Sequence, residues 1–130
     1  MKIKLLLFFA LACCALSCTT PIKPGELYGK WRYIKIEHPH TGGPNIAADE
    51  LKKQGASIEF SGDNTFVIMW GGNVLSHGKF TTEERKIQIK EILPDGTKRS
   101  FLFYVSELNA KKIVFETKSG MYSKVTAVKE

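Results

Sequence analysis

The sequence predicts an all-β domain, an eight-stranded antiparallel up-and-down meander barrel with one short helix in its first long connection. From Lys30 onward, short aromatic and β-branched runs with alternating apolar positions follow one another along the chain. Their links are short everywhere except after the first run, and short links allow only antiparallel neighbours. A meander of eight strands leaves long exposed edges unless it closes, which favours a barrel over two packed sheets.

The first half of the domain contains three predicted strands and the predicted helix. The first strand covers residues 30–37 (KWRYIKIE) and precedes a connection rich in proline and glycine. Residues 46–54 (IAADELKKQ) have helical character, and Gly55 follows as a helix cap. The next two strands cover residues 56–61 and 65–70, on either side of a Ser-Gly-Asp-Asn turn.

The second half contains five more predicted strands, each bounded by turn chemistry. Gly71 and Gly72 begin the turn into the first of them. The strongest turn signal is the Pro-Asp-Gly-Thr sequence at residues 94–97, because proline presets φ and glycine accepts a positive φ. The five strands cover residues 74–81, 86–93, 98–108, 112–118 and 121–128.

The N-terminus has the pattern of a secretory signal. Two lysines among the first four residues form a positive head, residues 5–16 form an apolar run, and small residues follow. The run is too short to cross a bilayer as a mature helix. Residues 1–17 are therefore predicted to be a signal peptide, residues 18–26 a tether, and residues 27–130 the barrel domain.

Cys18, directly after the small residues, resembles the cysteine of a bacterial lipobox. That resemblance implies cleavage after Ser17, acylation of Cys18 with chains such as palmitate, and anchoring in a membrane through those chains. Cys14 also fits a loose lipobox and is the competing site. No acidic run of the kind that sends some bacterial lipoproteins to the cell surface follows Cys18, which favours a protein that faces the periplasm. The predicted location is therefore the cell envelope, lipid-anchored in the outer membrane on its periplasmic side.

Charge and cysteine content exclude some classes of function. The formal net charge is +6, and it falls to +4 without the two lysines of the signal. Basic pairs such as Lys52-Lys53 and Lys98-Arg99 lie in or beside predicted turns rather than on one face, which argues against a nucleic-acid partner. All three cysteines lie at or before Cys18, so the domain depends on its hydrophobic core rather than on disulfides.

A leucine, a glycine and a tryptophan stand at alternate positions where the first strand begins: Leu27, Gly29 and Trp31. This spacing resembles the L-x-G-x-W opening of lipocalins. The resemblance implies that Gly29 lets the chain turn in beneath the barrel and that Trp31 plugs its closed end. It also implies binding of a small apolar molecule.

Motifs further along the chain resemble the small lipocalin-like lipoproteins of Bacteroidetes-type bacteria. They are a Gly-Asp turn between phenylalanines at residues 60–66, a Gly-x-aromatic strand at residues 78–80 and an alternating strand at residues 87–89. The resemblance covers roughly residues 26–128. The order of the motifs agrees with the predicted strand count.

Large apolar side chains on alternate strand positions are the candidate walls of a ligand site. Such residues form either a packed core or the lining of a pocket for an apolar molecule. Trp70, beside two glycines, is expected at the rim, where an amphipathic ring suits a binding mouth. The predicted ligand-contacting residues of these strands are Phe66, Ile68, Trp70, Phe101, Phe103 and Phe115.

The first strand contributes two further candidates. The strand period of two puts Tyr33 and Lys35 on the same face as Trp31. If Trp31 plugs the closed end, Tyr33 lies in mid-barrel and Lys35 nears the mouth, as a handle for an anionic head group. The alternative is a strand end at which Lys35 reaches water.

Metal binding and catalysis find little support in the sequence. His38, His40 and His77 are the candidate metal ligands, but a proline separates the first two and no cysteine is near them. We therefore predict no metal and no cofactor. The chain lacks the local motifs of serine hydrolases, zinc proteases and phosphate-binding loops, so we expect no catalysis.

The leading hypothesis is a lipid-anchored, lipocalin-like barrel that binds a small, largely apolar ligand. The connection and helix at residues 38–54 would cover one opening of the barrel as a lid. The alternative is a protein-interaction or inhibitor module with a solid core and no ligand. The sequence identifies neither the ligand nor a protein partner.

Overall fold

The structure is a computed structural model that describes residues 20–40, 42–118 and 122–130. The predicted signal peptide and the predicted lipid site at Cys18 lie outside the described residues. Among the described residues, the structure contains no helix with the length and apolar content needed to span a membrane.

Eight strands form one closed antiparallel barrel over the described part of the chain, each paired with its neighbours in sequence and the last with the first. This confirms the predicted fold class, and the predicted strand bounds differ from the observed ones by at most two residues. The elements are β1 (Gly29–Glu37), α1 (Ala48–Gln54), β2 (Ser57–Phe60), β3 (Thr65–Trp70), β4 (Asn73–Glu83), β5 (Lys86–Ile92), β6 (Lys98–Leu108), β7 (Lys112–Thr117) and β8 (Ser123–Lys129).

We call the end of the barrel where β1 begins the lower end, and the end where β1 finishes the upper end. The upper end carries the long connection after β1 and helix α1. Ile46 donates its backbone N–H to the Ile36 carbonyl oxygen at 2.9 Å, and Gly71 donates to the Gln54 carbonyl oxygen at 2.6 Å. The connection is thereby fixed to β1 at one point and to the β3–β4 turn at another.

Helix α1 is shorter than predicted, because Ile46 forms a β-bridge with Ile36 instead of a first helical turn. Its acidic residues lie in the first turn and its lysines in the last, as the helix dipole favours. Gly55 caps the helix with a left-handed φ of 61°. Leu51 is fully buried, so the helix adds one apolar side chain to the core from above.

The lower end is closed by the segment before β1. Ile22 is 4% exposed, and its N–H donates to the Glu84 carbonyl oxygen at 2.7 Å. A short 3₁₀ helix, Pro24–Glu26, then leads to Leu27, which is fully buried. The predicted tether at residues 18–26 thus contains one residue, Ile22, whose apolar side chain is buried under the barrel.

Candidate ligand site in the upper barrel

The lower half of the barrel interior is filled by aromatic side chains. The Phe60 and Phe80 rings meet edge to face with centroids 4.8 Å apart, and the Phe103 and Phe115 rings stack at 4.2 Å. The largest side chains of this half are less than 2% exposed, and they include Trp31, Phe60, Phe66, Phe80, Ile87, Ile89, Ile113 and Phe115. A ligand cannot enter this half without displacing its core.

The inner face of the upper half is also buried along most of its length. Tyr33, Ile36, Ile68 and Val125 are 6–9% exposed, and Val105 in the lower half is 7% exposed. Phe101 and Trp70, near the upper rim, are only partly buried against the core. The apolar side chains that are accessible at the upper end are therefore those of its rim.

Trp31 lies at the lower end, as predicted from the sequence. Its indole N–H donates to the Leu27 carbonyl oxygen at 2.7 Å, and the Lys129 ammonium sits 4.6 Å from the centre of its ring. Lys129 also donates to the Tyr28 carbonyl oxygen. Gly29 has a φ of 123°, and a Cβ there would press against the Lys129 side chain, so this position requires glycine.

The predicted ligand-contacting residues divide between the two halves of the barrel. Phe66, Phe103 and Phe115 belong to the buried core of the sealed half and the middle. Ile68 is buried in the upper half, and Phe101 is only partly buried near the upper rim. Trp70 is half-buried at the upper end of β3, next to the two glycines that turn the chain into β4.

The prediction that Lys35 shares the inner face with Tyr33 is wrong. The β1–β8 register shifts between Tyr33 and Lys35, so Ile34 forms a β-bulge. A bulge adds one residue to one strand and reverses the alternation beyond it. Ile36 consequently faces the core, while Lys35 is exposed and pairs with Glu37 at 3.5 Å.

An ion pair that sequence reasoning missed lies at the upper end of the interior. The Glu91 side chain is 6% exposed, and its Oε1 accepts hydrogen bonds from Arg99 Nε at 2.9 Å and from Arg99 Nη2 at 2.6 Å. Arg99 itself is 58% exposed. The alternation of Ile87, Ile89 and Glu91 along β5 was the signal that places this carboxylate inside.

Tyr33 faces β5 from the opposite wall, because β1 and β5 are four strands apart in a closed barrel of eight. Its ring meets Phe115 edge to face with centroids 6.3 Å apart. Burial raises the pKa of the Tyr33 phenol, and the negative charge of Glu91 raises it further. Tyr33 therefore stays protonated and remains a hydrogen-bond donor.

Ser76 adds a third polar group to the inner face. It is fully buried on β4, and its Oγ has no hydrogen-bond partner among the described residues. Between Ser76 and Phe80 on that face stands Gly78, which pairs with Glu91 across β4 and β5. A groove of about 250 Å³ borders Gly78, Glu91 and Arg99, but Lys79, Lys90, Lys98 and Ser100 also line it, so it lies on the outer face of β4, β5 and β6 rather than inside the barrel. A larger groove, about 440 Å³, lies at the lower end beside Thr20 and Arg85, away from these groups.

The three histidines do not come together. His38 Nδ1 lies 3.3 Å from the Tyr122 carbonyl oxygen, and the His40 ring packs edge to face on Tyr122. His77 is exposed on β4, on the other side of the barrel. Within the described residues, no group of three histidine, cysteine or acidic side chains is arranged to hold a metal ion.

One comparison with solved structures agrees with this architecture. A lipocalin-like protein from Bacteroides uniformis has the same fold, with a TM-score of 0.59 and 16% sequence identity over 82% of this chain and 100% of that one. No protein-family model matches the chain, and no curated protein matches it. The likeness confirms the resemblance inferred from the L-x-G-x-W opening. The chain folds as a lipocalin-like barrel, similar to that of a Bacteroidetes-type protein.

Proposed function

We propose that the protein is a cell-envelope lipoprotein whose barrel takes up a small, largely apolar ligand through its upper end without catalysing a reaction. The observation that carries the proposal is the difference between the two ends of the barrel. The lower end is plugged by the fully buried Trp31, whereas Phe101 and Trp70 are only partly buried at the rim of the upper end. A concave, mostly apolar site with a few polar groups is the usual form of a small-molecule site.

The connection after β1 and helix α1, which cover the upper end, support the same proposal. The backbone hydrogen bonds of the connection go to β1 and to the β3–β4 turn, through Ile36 and Gly71. Phe101 and Arg99, at the upper end of β6, lie on the other side of the opening. A ligand would enter past β6 and lie beneath α1.

Binding of the neutral apolar dye N-phenyl-1-naphthylamine tests the proposal. We expect a saturable rise in dye fluorescence with the purified protein. Val125→Phe fills the upper interior and should weaken dye binding by about tenfold or more, which corresponds to about 1.4 kcal/mol. Val128→Phe, on the outer face of the same strand, is the matched control and should bind the dye like the wild type.

Circular dichroism of both variants establishes that the barrel is intact before dye binding is compared. A wild-type protein that gives no saturable fluorescence change would contradict the proposed function. Equal dye affinity in the Val125→Phe variant would place the dye elsewhere on the surface.

The proposed lipid anchor sets the orientation of the barrel relative to the membrane. Ile22 is fixed under the lower end, and Cys18 precedes it by only four residues. Four extended residues span at most ~14 Å, so acyl chains on Cys18 would hold the lower end close to the bilayer. The upper end would then face away from the membrane, where it can exchange ligand with the aqueous compartment.

Replacing Cys18 by alanine is expected to move the protein from the membrane fraction to the soluble fraction, because its acyl chains supply the membrane affinity. Fractionation followed by immunoblotting measures the shift. Cys14→Ala is the control and should leave the protein in the membrane fraction. Release by Cys14→Ala alone would assign the anchor to the competing position.

A protein-interaction module is the second candidate, and one observation favours it. Val74 and Leu75 are 44% and 48% exposed, next to the β3–β4 turn at the upper end. Exposed apolar side chains of this kind occur at protein contacts. Chemical cross-linking in cells that captures one partner, lost in a Leu75→Ser variant, would favour this function if the dye does not bind.

A further inference from the structure

We propose that Tyr33, Ser76 and Glu91 form a polar subsite that receives the head group of the ligand and selects a hydrogen-bond donor, an amine or a hydroxyl, over a carboxylate. This inference rests on the proposed function, since it assigns the class of molecule that the barrel takes up. Its basis is three polar groups on the inner face that leave hydrogen-bonding capacity unused.

The Glu91 carboxylate is only partly used by its ion pair with Arg99. Both bonds from Arg99 end on Oε1, and among the described residues Oε2 accepts none. The carboxylate therefore keeps a free acceptor while its charge is balanced by Arg99. A ligand that donates an N–H or O–H to Oε2 completes the bonding of this nearly buried group.

Ser76 supplies the second polar group of the subsite. A buried hydroxyl without a partner costs roughly 1–3 kcal/mol, and a ligand head group that binds beside Ser76 would supply the missing hydrogen bond. Gly78 follows Ser76 by two residues on β4 and pairs directly with Glu91, so the serine and the carboxylate occupy neighbouring positions of the inner face. The serine hydroxyl can thus accept from, or donate to, the same head group as Glu91.

Tyr33 supplies the third polar group, from the opposite wall of the barrel. Tyr33 lies on the opposite wall, near enough for the Glu91 charge to act on its phenol, and its hydroxyl forms no hydrogen bond with the described residues. Because the phenol stays protonated, it can donate to a hydroxyl oxygen of the ligand. It can also accept from an amine.

The unused hydrogen-bonding groups decide which head group is preferred. Arg99 is already paired with Glu91, so the subsite has no uncompensated positive charge among these groups. A ligand carboxylate has no donor for Glu91 Oε2 and would lose its hydration without gaining a paired cation. An ammonium or a neutral hydroxyl meets an acceptor instead.

Three probes of equal chain length test this selectivity: decylamine, decan-1-ol and decanoate, each used below its micelle concentration to displace N-phenyl-1-naphthylamine from the purified protein. We expect the amine and the alcohol to displace the dye at concentrations about tenfold lower than decanoate. Glu91→Gln keeps the side-chain volume and an acceptor for Arg99, and should abolish the preference for the amine. Glu59→Gln, an exposed carboxylate on the outer face of β2, is the matched control.

Ser76→Ala is the second variant, because loss of a hydroxyl without a protein partner should leave the fold intact. It should weaken displacement by the alcohol severalfold while dye affinity stays the same. Dye binding with equal displacement by the three probes, or a Glu91→Gln variant that keeps the wild-type preference, would overturn the inference and leave the proposed function standing. Absence of dye binding would instead remove both.

Discussion

Replacing Trp31 by alanine is expected to destabilise the barrel by about 3–5 kcal/mol, the range for removal of a fully buried large aromatic side chain. The indole is fully buried at the lower end, where its N–H donates to the Leu27 carbonyl oxygen at 2.7 Å. The substitution removes that bond and leaves a cavity between the N-terminal segment and the core. It also removes the ring beneath the Lys129 ammonium.

Urea unfolding followed by circular dichroism measures this change through the free energy of unfolding. Trp31→Phe keeps much of the apolar volume but loses the hydrogen bond, and should lie between the alanine variant and the wild type. Trp70→Phe is the control at the other end of the barrel, where the side chain is only partly buried, and should change stability much less. A loss below about 1 kcal/mol for Trp31→Ala would contradict the role of Trp31 as the plug of the closed end.

Gly78→Ala is the second substitution with a large expected effect, a loss of about 2–4 kcal/mol. A Cβ at Gly78 would overlap the Lys90 carbonyl oxygen of the neighbouring strand and lie 3.2 Å from Phe66 Cε1. Neither group can move aside easily, because the Lys90 carbonyl belongs to the backbone of the β4–β5 ladder and the Phe66 ring is buried. The two strands would have to separate at the position where Gly78 pairs with Glu91.

The same urea titration measures the effect, with Gly25→Ala as the control because no atom lies within 4 Å of a Cβ placed there. That control should change the free energy of unfolding by less than about 0.5 kcal/mol. Since Gly78 adjoins the proposed polar subsite, its alanine variant should also lose the difference between amine and carboxylate probes. A Gly78→Ala protein as stable as the control would show that β4 and β5 are not held in this close register.

Much of the fold could be predicted because it depends on local chemistry. Alternating apolar residues and short turns such as residues 94–97 imply antiparallel neighbours in chain order. The resemblance of Leu27, Gly29 and Trp31 to the L-x-G-x-W opening of lipocalins implied that Trp31 lies at a closed end. The inner position of Glu91 was also within reach, since it continues the alternation of Ile87 and Ile89.

The candidate site could be predicted only in part, because its residues meet through closure of the barrel. Nothing in the run of residues 30–37 marks Ile34 as a bulge, yet that bulge turns Lys35 outward. Arg99 reaches Glu91 only because β5 and β6 pair in one particular register. Which apolar residues remain accessible depends on where α1 and the N-terminal segment cover the two ends.

The sequence by itself determined the class of fold and the order of the strands, because hydrophobic period and turn chemistry act between residues close in the chain. The end of the barrel that Trp31 occupies was implied by the resemblance to lipocalins. The tertiary structure alone decided that Ile22 packs beneath the barrel, that Ser76 is buried with no hydrogen-bond partner in the described part of the chain, and that Tyr33 faces Glu91. Those features arise between residues far apart in sequence. Their positions are fixed by strand register and by the curvature of the closed sheet, which no local pattern encodes.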